Sequence, residues 1–552
     1  MPTSWEEKAA DKRARLAKTI PDEWKLKTLP TTDNVMDVPK TSGILSDKEL
    51  EITESNATDL VSKLASGKLT AFEVTTAFCK RAALATQLTN CILEFFPEAA
   101  LAQAKELDEY YAKKGKPVGP LHGLPISLKD QLRVKGVETS MGYISWLGTI
   151  DTALTESTLT KLLRRAGAIF YTKTSVPQTL MVCETINNII GRTVNPRHKN
   201  WSCGGSSGGE GAMVGFRGGA LGVGTDIGGS IRVPAAFNSL FGLRPSHGRL
   251  PYGGMRNSMA GQETVHSVVG PMGHSADDLR LFTRSVLGEE PWKHDSKVIP
   301  MPWRETETEA IKSRIQTGGL NIAYYDFDGN VHPHPPILRG INETISALKA
   351  AGHKIHPWTP YKHDYGHDLI NKIYAADASA DVSHDINASG EPVIPNIKDL
   401  LGSTTTPATI TELWQTQLEK WNFQNEYLSQ ILAFEEKTLG GGELDAIIAP
   451  ITPTAAVLHD QFRYYGYASV INLLDFTSVV VPVGLADRKV DKRVKGFKGV
   501  SELDELVQSG YDAEAYHGAP VAVQVIGRRL TEERILAVAE EVGRVLGSGT
   551  RA

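Results

Sequence analysis

The chain has 552 residues, a formal net charge of -5, 41% hydrophobic and 22% charged residues, and a mean hydropathy of -0.21. That is the balance of an ordinary soluble globular protein with enough chain for a large buried core, and it excludes a basic field for nucleic acid and a segment apolar enough to span a membrane. The four cysteines, Cys79, Cys91, Cys183 and Cys203, fall at neither metal-binding nor disulfide-framework spacing, which fits a reducing compartment.

Residues 1–24 alternate acids and bases around Ala and Leu without an apolar run, so no secretory signal is expected there. The sequon at Asn200 lies six residues before Ser206, where a glycan would crowd a glycine-rich loop; this also points to the cytoplasm. Residues 4–17 read as a charged helix, and 28–41 as a loop rich in Thr, Asp and Pro. Residues 1–50 are therefore expected to form an N-terminal helical arm on a catalytic domain spanning 51–552.

A short helix over 58–65 stops at Gly67. Thr70 and Glu73 form a capping box that opens a helix towards residue 85, and another helix covers 98–113. Three successive helices predict a cap over one side of a core. The pattern then switches: Leu124, Ile126 and Leu128 alternate with Ser127 and Lys129, the period of a half-buried strand that ends at Lys129. On its face such a lysine is solvated or paired with Asp130.

A basic amphipathic helix over 157–167 leads into a strand over 168–172 and a turn at Pro177. Residues 204–232 follow, twelve of them glycine. Glycine at that density weakens helices and strands, whereas it lets backbone N–H groups converge on a phosphate or a developing oxyanion. Ser206, Ser207 and Ser230 stand inside this stretch, and a hydroxyl beside preorganised donors is what acyl transfer needs.

Beyond it, residues 276–286 read as a helix and 289–318 as a linker. Residues 320–325 form a strand, 337–351 a helix, and 445–449 and 519–526 strands; a last helix has Thr531 as N-cap, with Glu532 and Glu533 suiting its dipole. Strands alternating with helices imply an α/β fold with a largely parallel, buried sheet.

Several motifs compete. Gly204-Gly-Ser-Ser-Gly208 fits the G-x-S-x-G nucleophile elbow, but that elbow needs a strand before it and residues 194–203 read as irregular. A phosphate cradle lacks the G-x-x-x-x-G-K-[ST] pattern. Asp326-Phe-Asp-Gly-Asn330 starts like a calcium loop, yet Val331 and Ile337 stand where its glycine and bidentate glutamate belong. His332, His334, His353, His356, His363 and His367 crowd one region, and the i,i+4 spacing of His363 and His367 suits zinc only if that segment is helical, which Pro360 and Gly366 oppose. No metal and no cofactor is expected.

Three blocks in order, Gly123-Leu-Pro-Ile-Ser-Leu-Lys-Asp, Gly204-Gly-Ser-Ser-Gly-Gly-Glu and Gly224-Thr-Asp-Ile-Gly-Gly-Ser-Ile-Arg232, resemble the amidase signature family. C-terminal blocks from Leu444, Tyr467 and Gly518 resemble it too, and the N-terminal Ser4-Trp-Glu-Glu and Ile20-Pro-Asp-Glu-Trp resemble the fungal acetamidases within it. The resemblance covers essentially the whole chain.

It implies an α/β fold with a large, mixed, mostly parallel central sheet covered by helices on both faces. It implies Ser230 as nucleophile, Ser206 as a bridging serine in a cis peptide and Lys129 as base. Substrate-binding roles fall on Ser206, on Ile227, Gly228 and Gly229, whose N–H groups with that of Ser230 would hold an oxyanion, and on Leu180 in the substrate pocket. Ser207, Asp226 and Arg232 would brace the loop. The implied activity is hydrolysis of a small aliphatic amide to carboxylate and ammonia, without cofactor, nucleic acid or membrane, in a possible homodimer. The alternatives are an amidase for longer fatty or aromatic amides and an amidotransferase A-type subunit.

Overall fold

The protein is described by a computed structural model over residues 4–547. Eleven strands form one sheet: β1 (Ile92–Phe95), β2 (Pro125–Lys129), β3 (Ile169–Thr174), β4 (Leu221–Asp226), β5 (Phe241–Arg244), β6 (Val268–Gly273), β7 (Asn321–Tyr324), β8 (Lys354–Pro357), β9 (Ala446–Ala449), β10 (Thr477–Leu485) and β11 (Pro520–Gly527). Across the sheet they lie in the order β1, β3, β2, β4, β6, β5, β10, β11, β9, β7, β8. Parallel pairing occupies two runs, β3–β2–β4 and β9–β7–β8. The alternation of strands and helices accounts for those runs, whereas the strands between them pair antiparallel.

Side-chain alternation buries both faces of this mixed sheet. Ile322, Ile448 and Val525 join one apolar cluster, while Ala323, Ile447 and Ile526, one residue along the same strands, join another. Helices therefore cover both faces, as expected for the α/β fold.

Helix α1 (Trp5–Lys18) starts at the reciprocal cap between Ser4 and Glu7. Its buried Lys12 bonds Glu94 on β1 and Glu138, so the arm is tied to the body. The loop expected over 28–41 ends in one helical turn, Val38–Thr41. Helix α2 (Asp47–Glu54) has its own capping box at Ser46 and Glu49, a signal not read from the sequence. Then come α3 (Ala57–Ala65), α4 (Ala71–Thr89), opened by the Thr70–Glu73 box, and α5 (Pro97–Lys114). The expected three-helix cap is interrupted, because β1 runs between α4 and α5 and pairs with β3.

Further along lie α6 (Thr158–Arg165), α7 (Gly208–Gly215), α8 (Arg232–Phe237) and α9 (Ala276–Gly288). The stretch expected as a linker contains α10 (Glu305–Thr317), whose Ile311 is buried in the cluster beneath the last helix. Helices α11 (Pro335–Ala350), α12 (His363–Tyr374), α13 (Ile410–Lys437), α14 (Gly466–Leu474) and α15 (Glu532–Leu546) complete those used below. Thr531 is not the expected side-chain cap of α15: its hydroxyl donates to the Arg528 carbonyl. Glu532 and Glu533 are buried on Arg249, and Glu533 also takes Arg304 at 2.7 Å.

Residues 363–374 are helical despite Gly366, and that glycine has a reason: a Cβ there would come within 3.0 Å of the Phe423 ring on α13. The histidines go to separate partners, His332 to Asp504, His334 to the Val507 carbonyl, His353 to Glu541 and His363 to the Tyr427 hydroxyl. Asp328 accepts the Tyr464 hydroxyl and the N–H groups of Asn330 and Val331, which closes its own loop. Among the described residues no helix is long and apolar enough to cross a membrane.

Candidate active site

The site forms where β2, β4 and the turn before α7 meet. Strand β2 is buried along its whole length, not half-buried, because the glycine-rich segment covers its second face. Glycine makes that cover possible: a Cβ on Gly222 would sit 2.0 Å from the Glu210 carboxylate, and one on Gly209 would sit 2.3 Å from the Ser175 N. Glu210 in turn accepts the Ser127 hydroxyl from β2 at 2.6 Å and the Thr174 hydroxyl from β3 at 2.8 Å, which fixes α7 over the strand that carries Lys129. Burial pushes the Glu210 carboxyl up to about 8.

Lys129 is fully buried, and its Nζ lies 2.8 Å from Ser206 Oγ and 2.7 Å from Thr225 Oγ1. Burial lowers its pKa to about 7, against the opposing pull of Asp226 and Glu210. The amine is thus neutral over part of the physiological range. The Thr225 hydroxyl donates to Gln131 Oε1 at 2.7 Å, so its remaining lone pairs face Lys129. Thr225 and Gln131 went unread in the sequence, although Thr225 stands inside the third block.

The Gly205–Ser206 peptide is cis. The residues before it form a small ribbon, Val194–Asn195 with His198–Ser202, and not the irregular segment expected; the ribbon lies outside the central sheet. Ser206 and Ser230 line one small cavity of about 20 Å³ together with Leu180, Thr225 and Ile227. No histidine among the described residues hydrogen-bonds either serine. His122 instead accepts the Val118 N–H.

Ser207 joins the two loops: its N–H donates to the Ser230 carbonyl at 3.2 Å, and its hydroxyl lies 3.2 Å from the Thr225 carbonyl. Asp226 braces the turn from below. Its carboxylate accepts the N–H groups of Gly229, Ile231 and Arg232, the Arg232 guanidinium and the Asn472 amide. Burial alone would raise its pKa, but Arg232 holds the carboxyl well below the usual range.

Four N–H groups were expected to face an oxyanion. The Gly229 N–H instead donates to Asp226 Oδ1 at 2.9 Å, in a turn where Gly229 has φ of +127°. Those of Ile227, Gly228 and Ser230 make no hydrogen bond among the described residues, so three of the four expected donors are left unengaged.

Outward from Ser230 opens a cleft of about 990 Å³, with Leu180, Met181, Ile227, Tyr374, Phe462 and Tyr465 among its walls. The Tyr374 hydroxyl donates to the Ile227 carbonyl at 2.5 Å, which ties α12 to the glycine turn.

The chain resembles known proteins over nearly its whole length. The family model described as Amidase matches residues 73–536. The chain is 74% identical over 548 residues to an acetamidase of Emericella nidulans, covering 99% of each. It is 66% identical over 544 residues to an acetamidase of Aspergillus oryzae, again covering 99% of each. A solved structure titled fatty acid amide hydrolase superposes with a TM-score of 0.92 at 35% identity, covering 98% of this chain and 95% of that one. Motifs, fold and relatives converge: the chain is an amidase and belongs to the amidase signature family.

Proposed function

We propose that the protein hydrolyses small aliphatic amides such as acetamide to the carboxylate and ammonia, through an acyl-enzyme on Ser230. The observation that carries this reading is the Lys129 amine, fully buried and 2.8 Å from Ser206 Oγ, where Ser206 shares a small cavity with Ser230. The two relatives at 74% and 66% identity are named acetamidases, which favours a short acyl group.

Neutral Lys129 takes the proton of Ser206 as Ser206 takes that of Ser230. Ser230 Oγ bonds to the amide carbon, and the carbonyl electrons move to oxygen, where the N–H groups of Ile227, Gly228 and Ser230 hold the charge. Gly229 supports them through Asp226. The proton returns through Ser206 to the nitrogen, the C–N bond breaks and ammonia leaves. Water, deprotonated by the same relay, then attacks the ester carbon; the acyl C–O bond breaks, Ser230 regains its proton, and the carboxylic acid departs and gives its remaining proton to solvent, leaving the carboxylate. No cofactor enters this sequence. We place the reaction in the cytoplasm, a reading supported by four cysteines that are all buried free thiols.

A second reading is favoured by one observation. A cleft of about 990 Å³ with apolar walls has room for far more than acetamide, which favours longer or aromatic amides as substrates. An ammonia-release screen over amides of rising acyl length, with chelator present and nucleotide absent, tests both readings. Highest kcat/KM at two carbons supports the first, and a maximum at longer or aromatic acyl groups the second. Silence across the whole series would remove both.

A further inference from the structure

Helix α13 is apolar on two opposite faces. Thr416, Phe423, Tyr427 and Ile431 are buried on one. On the other, Ile410, Trp414, Leu418, Trp421, Leu428 and Leu432 stand in solvent, 68%, 63%, 43%, 61%, 38% and 60% exposed. From Trp414 onward their spacing, with Asn425 completing the series, is four, three, four, three, four. That is the 3.5-residue repeat with which one helix lays a seam against another, Asn425 being the polar position that fixes register.

We infer that this stripe is an interface between two copies of the chain, packed α13 against α13 about a two-fold axis. Three observations choose that occupant. The exposed apolar area of the six side chains is roughly 600 Å² per copy, at the upper end of the largest patch usual on a monomer and about three quarters of the ~800 Å² that one partner gives a standard interface. On the acidic edge beside the stripe Glu419 pairs with Lys372, Glu426 pairs with Lys362 and the Glu412 carboxylate caps the helix at Thr409, so like-charge repulsion between two copies is reduced there. Between residues 410 and 432 the one basic residue is Lys420, which lies on the buried side. A helix that rests on lipid instead carries Lys and Arg along its polar face.

Sedimentation velocity of the purified full chain at micromolar concentration should give about twice the 60.0 kDa chain mass. The double variant Trp414→Gln/Trp421→Gln should weaken the dimer about 30-fold or more, the loss of two aromatic anchors, with unchanged circular dichroism. Trp421 is the midpoint of the stripe, so a two-fold relation sets it beside its counterpart whichever way the helices run. Since all four native cysteines are buried, Trp421→Cys should form a disulfide-linked dimer under mild oxidation, a readout that stands even if the double variant fails to fold. A monomeric wild type overturns the inference. So does a dimer that survives the double variant undiminished, or absence of the cross-link. Monomers that cosediment with phosphatidylcholine vesicles would assign the stripe to a membrane surface instead.

Discussion

Lys173 Nζ stands 2.7 Å from Asp130 Oδ1, with both side chains fully buried. The other Asp130 oxygen accepts the N–H groups of Ser140 and Met141 and the Ser140 hydroxyl. The carboxylate adjacent to Lys129 in sequence is thus satisfied by a different lysine. Neighbouring residues at a strand end point to opposite faces, so Lys129 turns towards Ser206 and Thr225.

The base assignment follows from that separation. The Lys129 relay needs a neutral amine, and with its pKa lowered to about 7, kcat/KM should fall as acid carries the pH below that value. Lys129→Arg keeps charge and reach but cannot release a proton in the working range, so its kcat/KM should drop at least the roughly 10²-fold typical of losing general base catalysis. Steady-state kinetics across pH measure both. A folded Lys129→Arg protein with near-normal turnover would end the proposal.

The same burial predicts a stability effect of definite sign. In the unfolded chain Lys129 titrates near 10.5 and in the folded one near 7, so between those values the unfolded state binds more protons and stability rises with pH. Lys129→Met should therefore raise the melting temperature most at and below pH 7, the gain shrinking towards pH 10. Calorimetry that found the variant less stable at every pH would refute the unfavourable burial of this amine.

Which serine is acylated is separable from the fold. A fluorophosphonate should label Ser230, beside the three uncommitted N–H groups, and Ser230→Ala should take no label. Ser206→Ala leaves the nucleophile in place and should be labelled slowly, at a rate reduced by 10² or more. A tryptic map with the adduct on Ser206 would favour a nucleophile elbow at that position.

The glycine-rich blocks were legible because their chemistry is local. Lys129, Ser206 and Ser230 lie in motifs that leave little choice of backbone, and the capping box at Thr70 marks its helix by short-range bonds. What escaped depends on distant partners. Strand β1 is four residues long and takes its identity from pairing with β3 some 80 residues on. Helix α10 reads as a polar linker until the cluster under α15 claims Ile311. Glu532 and Glu533 look like a solvent-facing first turn, but Arg249, nearly 300 residues upstream, draws them inside. Gly229 belongs to the donor series by position, and only the bond from its N–H to Asp226 removes it.

Asp226 carries the last prediction. Its carboxylate receives three backbone N–H groups, two guanidinium nitrogens and the Asn472 amide, a set of donors with no acceptor among them. Asp226→Asn keeps the shape but turns an NH₂ group onto these donors and leaves Arg232 a buried, uncompensated cation. Breaking such a pair costs about 3–5 kcal/mol, so chemical denaturation should show a loss of that order. The turn from Ile227 to Ser230 would then lose its anchor at Gly229, and kcat should fall by the roughly 10²- to 10³-fold associated with a displaced oxyanion donor. Stability and catalysis separate in the double variant Asp226→Leu/Arg232→Met. Apolar replacement of both partners removes the buried charge and should recover part of the stability, while the N–H groups of Gly229 and Ile231 remain without an acceptor and kcat stays low. A double variant that regained both together would reduce Asp226 to a structural ion pair with no part in placing the donors.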